Sequence, residues 1–333
     1  MASRIWEGRA EPEAPMRADR YLSEIVAIMN RSQLKARDAR LFCNGRQVKL
    51  SHKIKHGDCL RLEWTDAPSE VIQPESLALS ILYEDADVFV FDKAQGMVTH
   101  PAAGNWSGTL ANGVLWLLQK AALTAGASAA TSEDTSAEPP PRCGIVHRLD
   151  KDTSGVIITA RTPAAHEYLA RQFHDRETKK EYVAILKGLP PAPEGIVDTW
   201  LARSPHDRKK FAVSPQGRGK HALTLYRVRS IWEIGAKGSV QRYALVLLYP
   251  RTGRTHQLRV HMAHLGCPIL GDPLYAKRDT LFPGATLMLH ARRLKIRLPS
   301  DQHYRVFVAP LPERFRQVVK VLEEKGKRVR TGG

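Results

Sequence analysis

The ten residues His147-Arg148-Leu149-Asp150-Lys151-Asp152-Thr153-Ser154-Gly155-Val156 carry the densest chemistry in the chain. Asp150 stands two residues after an arginine and just ahead of a small polar turn, Asp152 to Gly155. The apolar run Val156-Ile157-Ile158-Thr159-Ala160 follows and reads as a buried strand. A carboxylate on a tight loop feeding a buried strand is rigidly held and within reach of a substrate. It can act as a nucleophile, a general base or a metal ligand. It can equally bond its own backbone, as turn aspartates do.

A second stretch runs Arg251-Thr252-Gly253-Arg254-Thr255-His256-Gln257-Leu258-Arg259-Val260-His261, followed by Gly266 to Asp272. Gly253 makes a turn and a helix begins near Thr255, which places Arg259 one turn further on. A helical arginine among apolar residues needs an anion, since a buried unpaired charge is costly. A structural Asp or Glu, or solvent, would serve. Tyr182 lies on the strand-like run Lys179 to Leu186, as a core or interface aromatic.

No metal or cofactor is expected. His256, His261 and His264 cluster without a His-Glu-x-x-His arrangement. Cys43, Cys59, Cys143 and Cys267 form no Cys-x-x-Cys pair and no disulfide framework. There is neither a phosphate-cradling glycine loop nor a dinucleotide fingerprint.

The elements that must position these residues read as a larger domain over 77–325. It opens with Leu79 to Tyr83 and the strand Asp85 to Lys93. A loop at Gly96–Pro101 and a helix over Gly108–Leu118 come next. Residues 121–141 hold alanine, threonine, serine, glutamate and a triple proline, and read as a flexible insertion. An amphipathic helix runs from Pro163 to about Arg176, with Tyr168, Leu169 and Phe173 inward. Pro191–Gly195 is a connection. Arg203–Lys220 is a basic loop, and His221–Val228 a strand. The chain closes with strands over Thr286–Leu298 and Tyr304–Ala309, a helix from Glu313 to Lys325, and a frayed basic tail, 326–333.

Ahead of that domain, residues 1–15 are polar, hold two prolines and read as a loose leader. Residues 16–64 read as a small unit. A helix covers Arg20–Met29 and a second covers about Ser32–Arg40. A hairpin turning at Asn44-Gly45 follows, then a strand from Cys59 to Trp64. This unit carries eleven Lys/Arg against five Asp/Glu. Residues 65–76, with two prolines, are a linker. The whole chain has 51 Lys+Arg against 34 Asp+Glu, a net charge of +17, which favours a polyanionic partner. No apolar run approaches the roughly 20 residues of a membrane span. Nor does the N-terminus resemble a signal peptide. A cytoplasmic protein follows, with no membrane partner and a monomeric state as the default.

In these motifs the chain resembles the RluA/RluD-type pseudouridine synthases, a ribosomal large-subunit pseudouridine synthase-like family. The His147–Val156 string looks like the family's catalytic motif. The strand-loop-helix before it looks like its first motif, with Ala94 where proline is usual. Residues 16–64 resemble the small RNA-binding domain named after the fourth small-subunit ribosomal protein, here the S-four domain. The Asn30-Arg31-Ser32 start and the Asn44-Gly45 turn sit where that family has them, whereas Leu41-Phe42-Cys43 replaces a more usual valine-rich strand.

The resemblance implies an α+β fold: a mixed, largely antiparallel sheet with flanking helices, plus a small α/β S-four-type unit. It implies isomerisation of specific uridines to pseudouridine in structured RNA, with ribosomal large-subunit RNA as the expected target and transfer RNA as the alternative. Asp150 would be the catalytic carboxylate, paired with Arg259. Arg148 would help extrude the uridine and Tyr182 would stack on the flipped base. Arg31, Lys35, Arg37, Arg46, Lys209 and Lys210 are the expected backbone contacts. Two competing readings are a non-catalytic RNA-binding assembly factor and a carboxylate-based hydrolase. The hydrolase would want a second carboxylate on the opposite face, and Asp152 is too close in sequence to supply it.

Overall fold

A computed structural model describes residues 3–29, 34, 39–65, 72–102, 105–124, 140–236, 239–301 and 303–329. The chain divides into two compact units, Met1–Val71 and Ile72–Gly333.

The first unit contains β1 (Ser3–Arg9), β2 (Met16–Arg17), α1 (Ala18–Arg20, continuing as a π-helical turn over Tyr21–Ile25), β3 (Arg40–Cys43), β4 (Arg46–Val48), β5 (Lys53–Ile54) and β6 (Cys59–Thr65). Four of the strands form an antiparallel sheet in the order β1-β6-β3-β4. The expected hairpin is present. Asn44 and Gly45 both have positive φ, 50° and 79°, the backbone that suits the twist of a two-residue turn. Leu22, Leu41, Leu60 and Leu62 form its core.

Two expectations for this unit are corrected. Residues 3–9 are not a loose leader: β1 pairs with β6 from Ser3↔Thr65 to Arg9↔Cys59, and Trp6 packs on the core. The backbone ladder orders a segment whose polar side chains gave no strand signal. The first helix stops at Ile25, short of Met29, with Ile25 itself exposed. The second expected helix falls mostly outside the described residues, as do Arg31, Lys35 and Arg37; its last expected residue, Arg40, opens β3.

The second unit contains β7 (Ser80–Glu84), β8 (Val88–Lys93), α2 (Leu110–Thr124), β9 (Ser154–Ala160), α3 (Pro163–His174), β10 (Lys179–Lys187), β11 (Glu194–Arg203), β12 (Phe211–Ser214), β13 (Lys220–Ala236), β14 (Ser239–Pro250), α4 (Gln257–His264), β15 (Leu289–Arg297), β16 (Tyr304–Val308), α5 (Glu313–Lys325) and β17 (Lys327–Val329). Its strands form one 11-stranded sheet, β12-β11-β13-β14-β10-β15-β9-β8-β7, with β16 added to β15 and β17 to β13. Among the described residues only the β15–β9 pair is parallel. The fold is the mixed, largely antiparallel α+β architecture expected.

β9 explains its own sequence. Val156, Ile158 and Ala160 pack with Ala165 and Leu169 of α3. Ile157 packs on the other side with Leu110 and Val114 of α2. A strand covered on both faces reads as an unbroken apolar run. Both helices are capped by side chains. Thr162 accepts the Ala165 N–H, with Pro163 in the first turn. Thr109 and Asn112 exchange bonds at the start of α2, and Asn112 Nδ2 also donates to Gln73 O at 2.7 Å. That bond and the Glu75 N–H to Asn112 O bond anchor the described end of the expected linker to this unit.

Other boundaries differ. α2 runs on to Thr124, and residues 125–139 of the expected insertion lie outside the described residues. The basic loop contains β12, and β11 begins inside the expected connection. β14 answers β13 along nearly its whole length. The expected frayed tail forms β17 at Lys327–Val329. Each of these strands is held by a distant partner, which local patterning does not reveal.

Candidate active site

The Asp150 turn is latched from below. Leu149 N–H donates to Thr99 Oγ1 at 3.3 Å, and that hydroxyl donates back to Leu149 O at 2.8 Å. Thr153 N–H closes the turn on Asp150 O at 3.1 Å. Lys93, only 1% exposed, donates to Ala94 O, Met97 O and Lys151 O at 3.0, 2.7 and 3.2 Å. Burial pulls its pKa down to about 8, with Asp150 and Asp152 opposing. One ammonium thus ties the end of β8, the following loop and the Asp150 turn together. Gly155, at φ 118°, lets the turn run into β9 beside β15; a Cβ there would lie 2.2 Å from Ala291 O.

Asp150 is partly exposed at 18% of its side chain. Its Oδ2 lies 3.4 Å from Arg259 Nη1 and 4.0 Å from His256 Nε2. The family resemblance implied a pairing of Arg259 with Asp150, and the geometry brings the two side chains together. It also supplies the structural acid that the sequence left open. Arg259 Nε and Nη2 donate to Asp272 Oδ2 and Oδ1 at 2.7 and 2.8 Å. Asp272 Oδ1 accepts the Leu274 and Tyr275 N–H groups as well. Burial works against the Arg259 charge, but the Asp272 bonds and the charges of Asp272 and Asp150 hold its pKa above the ordinary value. The Tyr275 ring lies 5.3 Å from the guanidinium. α4 begins at Gln257, two residues later than expected.

Tyr182 projects from β10 into the same cavity as Asp150. Desolvation and then the Asp150 charge push its hydroxyl above the usual range, so the phenol is neutral. The cavity has a volume of about 500 Å³, and Arg148, Arg176, Lys180, Arg251, Arg254 and Arg259 line it with Asp150 as the only acid among the described residues. Arg148 is exposed at its rim. Lys180 is partly buried, and desolvation lowers its pKa to about 8. Its proximity to the cavity had no signal beyond its place two residues before Tyr182.

The remaining motif residues are structural. His147 Nε2 accepts the Ile158 N–H at 3.0 Å, and the ring stacks on Phe173 at 4.4 Å. Gln257 ties Thr252, Arg254, Leu223 and Thr224 together. His261 bridges Thr199 and Thr224. Lys209 and Lys210 sit on the turn before β12 and do not line the cavity. Arg46 is exposed on β4 of the first unit.

A model of the RNA pseudouridylate synthase family matches residues 87–264, spanning β8 to α4 and every cavity residue named above, while Asp272 and Tyr275 lie beyond it. The chain belongs to the RNA pseudouridine synthase family. It is 38% identical to a ribosomal large subunit pseudouridine synthase D of Borreliella burgdorferi, over 91% of this chain and 88% of that one. It is 40% identical to an uncharacterized RNA pseudouridine synthase of Chlorobaculum parvum, over 92% and 94%. Among solved structures it resembles human RNA pseudouridylate synthase domain containing 4, with a TM-score of 0.54 and 27% identity over 76% and 95% of the two chains. This synthase is therefore an isomerase, and Asp150 with all the cavity's lining residues but Leu289 lies within the matched region.

Proposed function

We propose that this synthase converts uridine to pseudouridine in large-subunit ribosomal RNA, with Asp150 as the carboxylate that engages the target nucleoside. One observation carries the site assignment: the partly exposed Asp150 carboxylate faces the buried Arg259 charge inside a cavity whose other charged lining residues are cations. The reaction detaches uracil from its ribose, turns it and rejoins it through carbon five, so the product is an isomer and no co-reactant is consumed.

A uridine in an RNA helix cannot reach a cavity of this kind while stacked, so the base is flipped out. Tyr182 receives it, since a neutral phenol beside Asp150 offers a flat face for stacking. Arg148 at the rim enters the gap and meets neighbouring phosphates. The basic first unit acts as an S-four-type RNA-binding domain, with Arg31, Lys35, Arg37 and Arg46 on RNA phosphates. Lys209 and Lys210 serve the same role in the second unit. The names of the ribosomal large-subunit relatives support ribosomal over transfer RNA. None of the described helices is long and apolar enough to cross a membrane. The synthase acts as a monomer in the cytoplasm.

The test is a pseudouridine map of total RNA by carbodiimide modification and primer extension, in cells lacking the protein and in cells carrying wild type or Asp150→Ala. Large-subunit sites that vanish in the deletion, return with wild type and stay absent with Asp150→Ala support the reading. Identical maps in all strains overturn it, and loss at transfer-RNA sites alone moves the target.

A further inference from the structure

His256 takes a φ of 55° immediately before α4, in the left-handed region that side chains with a Cβ generally avoid. Glycine would make this turn with less strain. A strained backbone beside a reacting group is kept where the side chain is needed.

The surroundings of the imidazole show what it is needed for. His256 Nδ1 lies 2.9 Å from Tyr275 Oη, and that oxygen accepts the Phe211 N–H at 2.8 Å. The phenol's own proton then goes to Nδ1, which gives each donor an acceptor. In a neutral ring the remaining proton is on Nε2. Burial favours the neutral ring. Asp150 and Asp272 pull the other way, and Arg259 and Arg148 push with burial. Nε2 lies 4.0 Å from Asp150 Oδ2, a separation beyond hydrogen-bond length of the kind that closes when substrate enters.

We propose that His256 is a positioning residue for Asp150: fixed as the Nε2–H tautomer by Tyr275, it is the second donor to Oδ2, alongside Arg259 Nη1. Both donors act on one oxygen. Oδ1 accepts no hydrogen bond among the described residues and is left to face the uridine. Phe211 follows Lys209 and Lys210 directly, so the donor chain starts beside a basic turn. The inference rests on Asp150 as the reacting carboxylate, and the control variant below separates the two.

The test uses the full chain in excess over total RNA from cells lacking the protein, with pseudouridine scored by carbodiimide and primer extension. For His256→Gly the maximal rate should fall about tenfold or more, as for loss of one hydrogen-bond donor to a charged reacting group. The half-saturating protein concentration should stay within twofold, and the melting temperature should not drop, since glycine relieves the turn. His256→Gln, whose amide can still donate toward Oδ2, should recover most of the rate. The imidazole ¹⁵N signals of His256 should show a proton on Nε2, and Tyr275→Phe should mix the tautomers. A wild-type rate in His256→Gly with an inactive Asp150→Ala overturns the His256 role and leaves Asp150 standing. Equal losses in the glycine and glutamine variants, or a proton on Nδ1 in the wild type, also overturn it. An active Asp150→Ala overturns both readings.

Discussion

Asp272 holds Arg259 by both ends of its fork, at 2.7 and 2.8 Å, and both side chains are buried. Arg259 Nη1 alone is left over, and it points at Asp150. Asp272 thus sets where the buried guanidinium of the site stands, and Asp150 meets a charge that is already in place.

Asp272→Ala should therefore damage the fold as well as the chemistry. It leaves a guanidinium buried without its main partner, a change that costs about 3–5 kcal/mol. Urea unfolding should show that loss, and the double variant Asp272→Ala/Arg259→Met should recover part of it. A loss under about 1 kcal/mol, the range of an exposed pair, would contradict the buried clamp.

Asp150→Ala should do the opposite. The carboxylate is partly exposed, and Arg259 keeps its Asp272 partner when Asp150 is removed. Stability should stay within about 1 kcal/mol of wild type. The rate of pseudouridine formation should fall by about a thousandfold or more, as for removal of a reacting group. Unfolding curves and single-turnover assays on the same preparation separate these two quantities.

The contrast between these two aspartates shows what was legible in the sequence. Asp150 stood out because its turn feeds β9, and a strand buried on both faces leaves an unbroken apolar run. α5 was read at its true bounds because Phe315, Val318 and Leu322 repeat at helical spacing on one buried face. Asp272 closes the Gly266–Asp272 stretch, yet its pairing with Arg259 depends on the turn after α4, which carries no periodic signal. His256 was visible only as one of three nearby histidines. Its left-handed backbone and its bond to Tyr275 are properties of the folded chain. β1 and β17 have polar sequences and exist through pairing with β6 and β13, so no local pattern announces them.

Acid should weaken the fold through three histidines, His261 and His290 fully buried and His147 partly so. Burial lowers His147 to about 3, and His261 and His290 to about 4, from the ordinary 6.5. Between those values the unfolded chain binds protons that the folded chain does not. Their stabilising contribution is complete above pH 6.5 and is lost as pH falls toward 4. Each histidine contributes a slope on the order of 1 kcal/mol per pH unit in that window. Urea unfolding at pH 7.5, 6 and 5 should show the decline, and His261→Gln should make it shallower. A flat profile would mean that these rings are not buried neutral.

Salt should act on RNA binding through the cations around the cavity. Arg148 and Arg251 are both exposed lining residues and can meet phosphates directly. Binding measured by filter retention of total RNA should fall linearly on a log–log plot against salt. Each phosphate contact removed should reduce the slope by about 0.7–0.9. Arg148→Ala and Arg251→Ala should each show that reduction. Arg171→Ala, an exposed charge on α3 that pairs with Glu167 and does not line the cavity, should leave the slope unchanged. Equal slopes for all three variants would remove the cavity cations from the RNA path and leave phosphate binding to other surfaces of the chain.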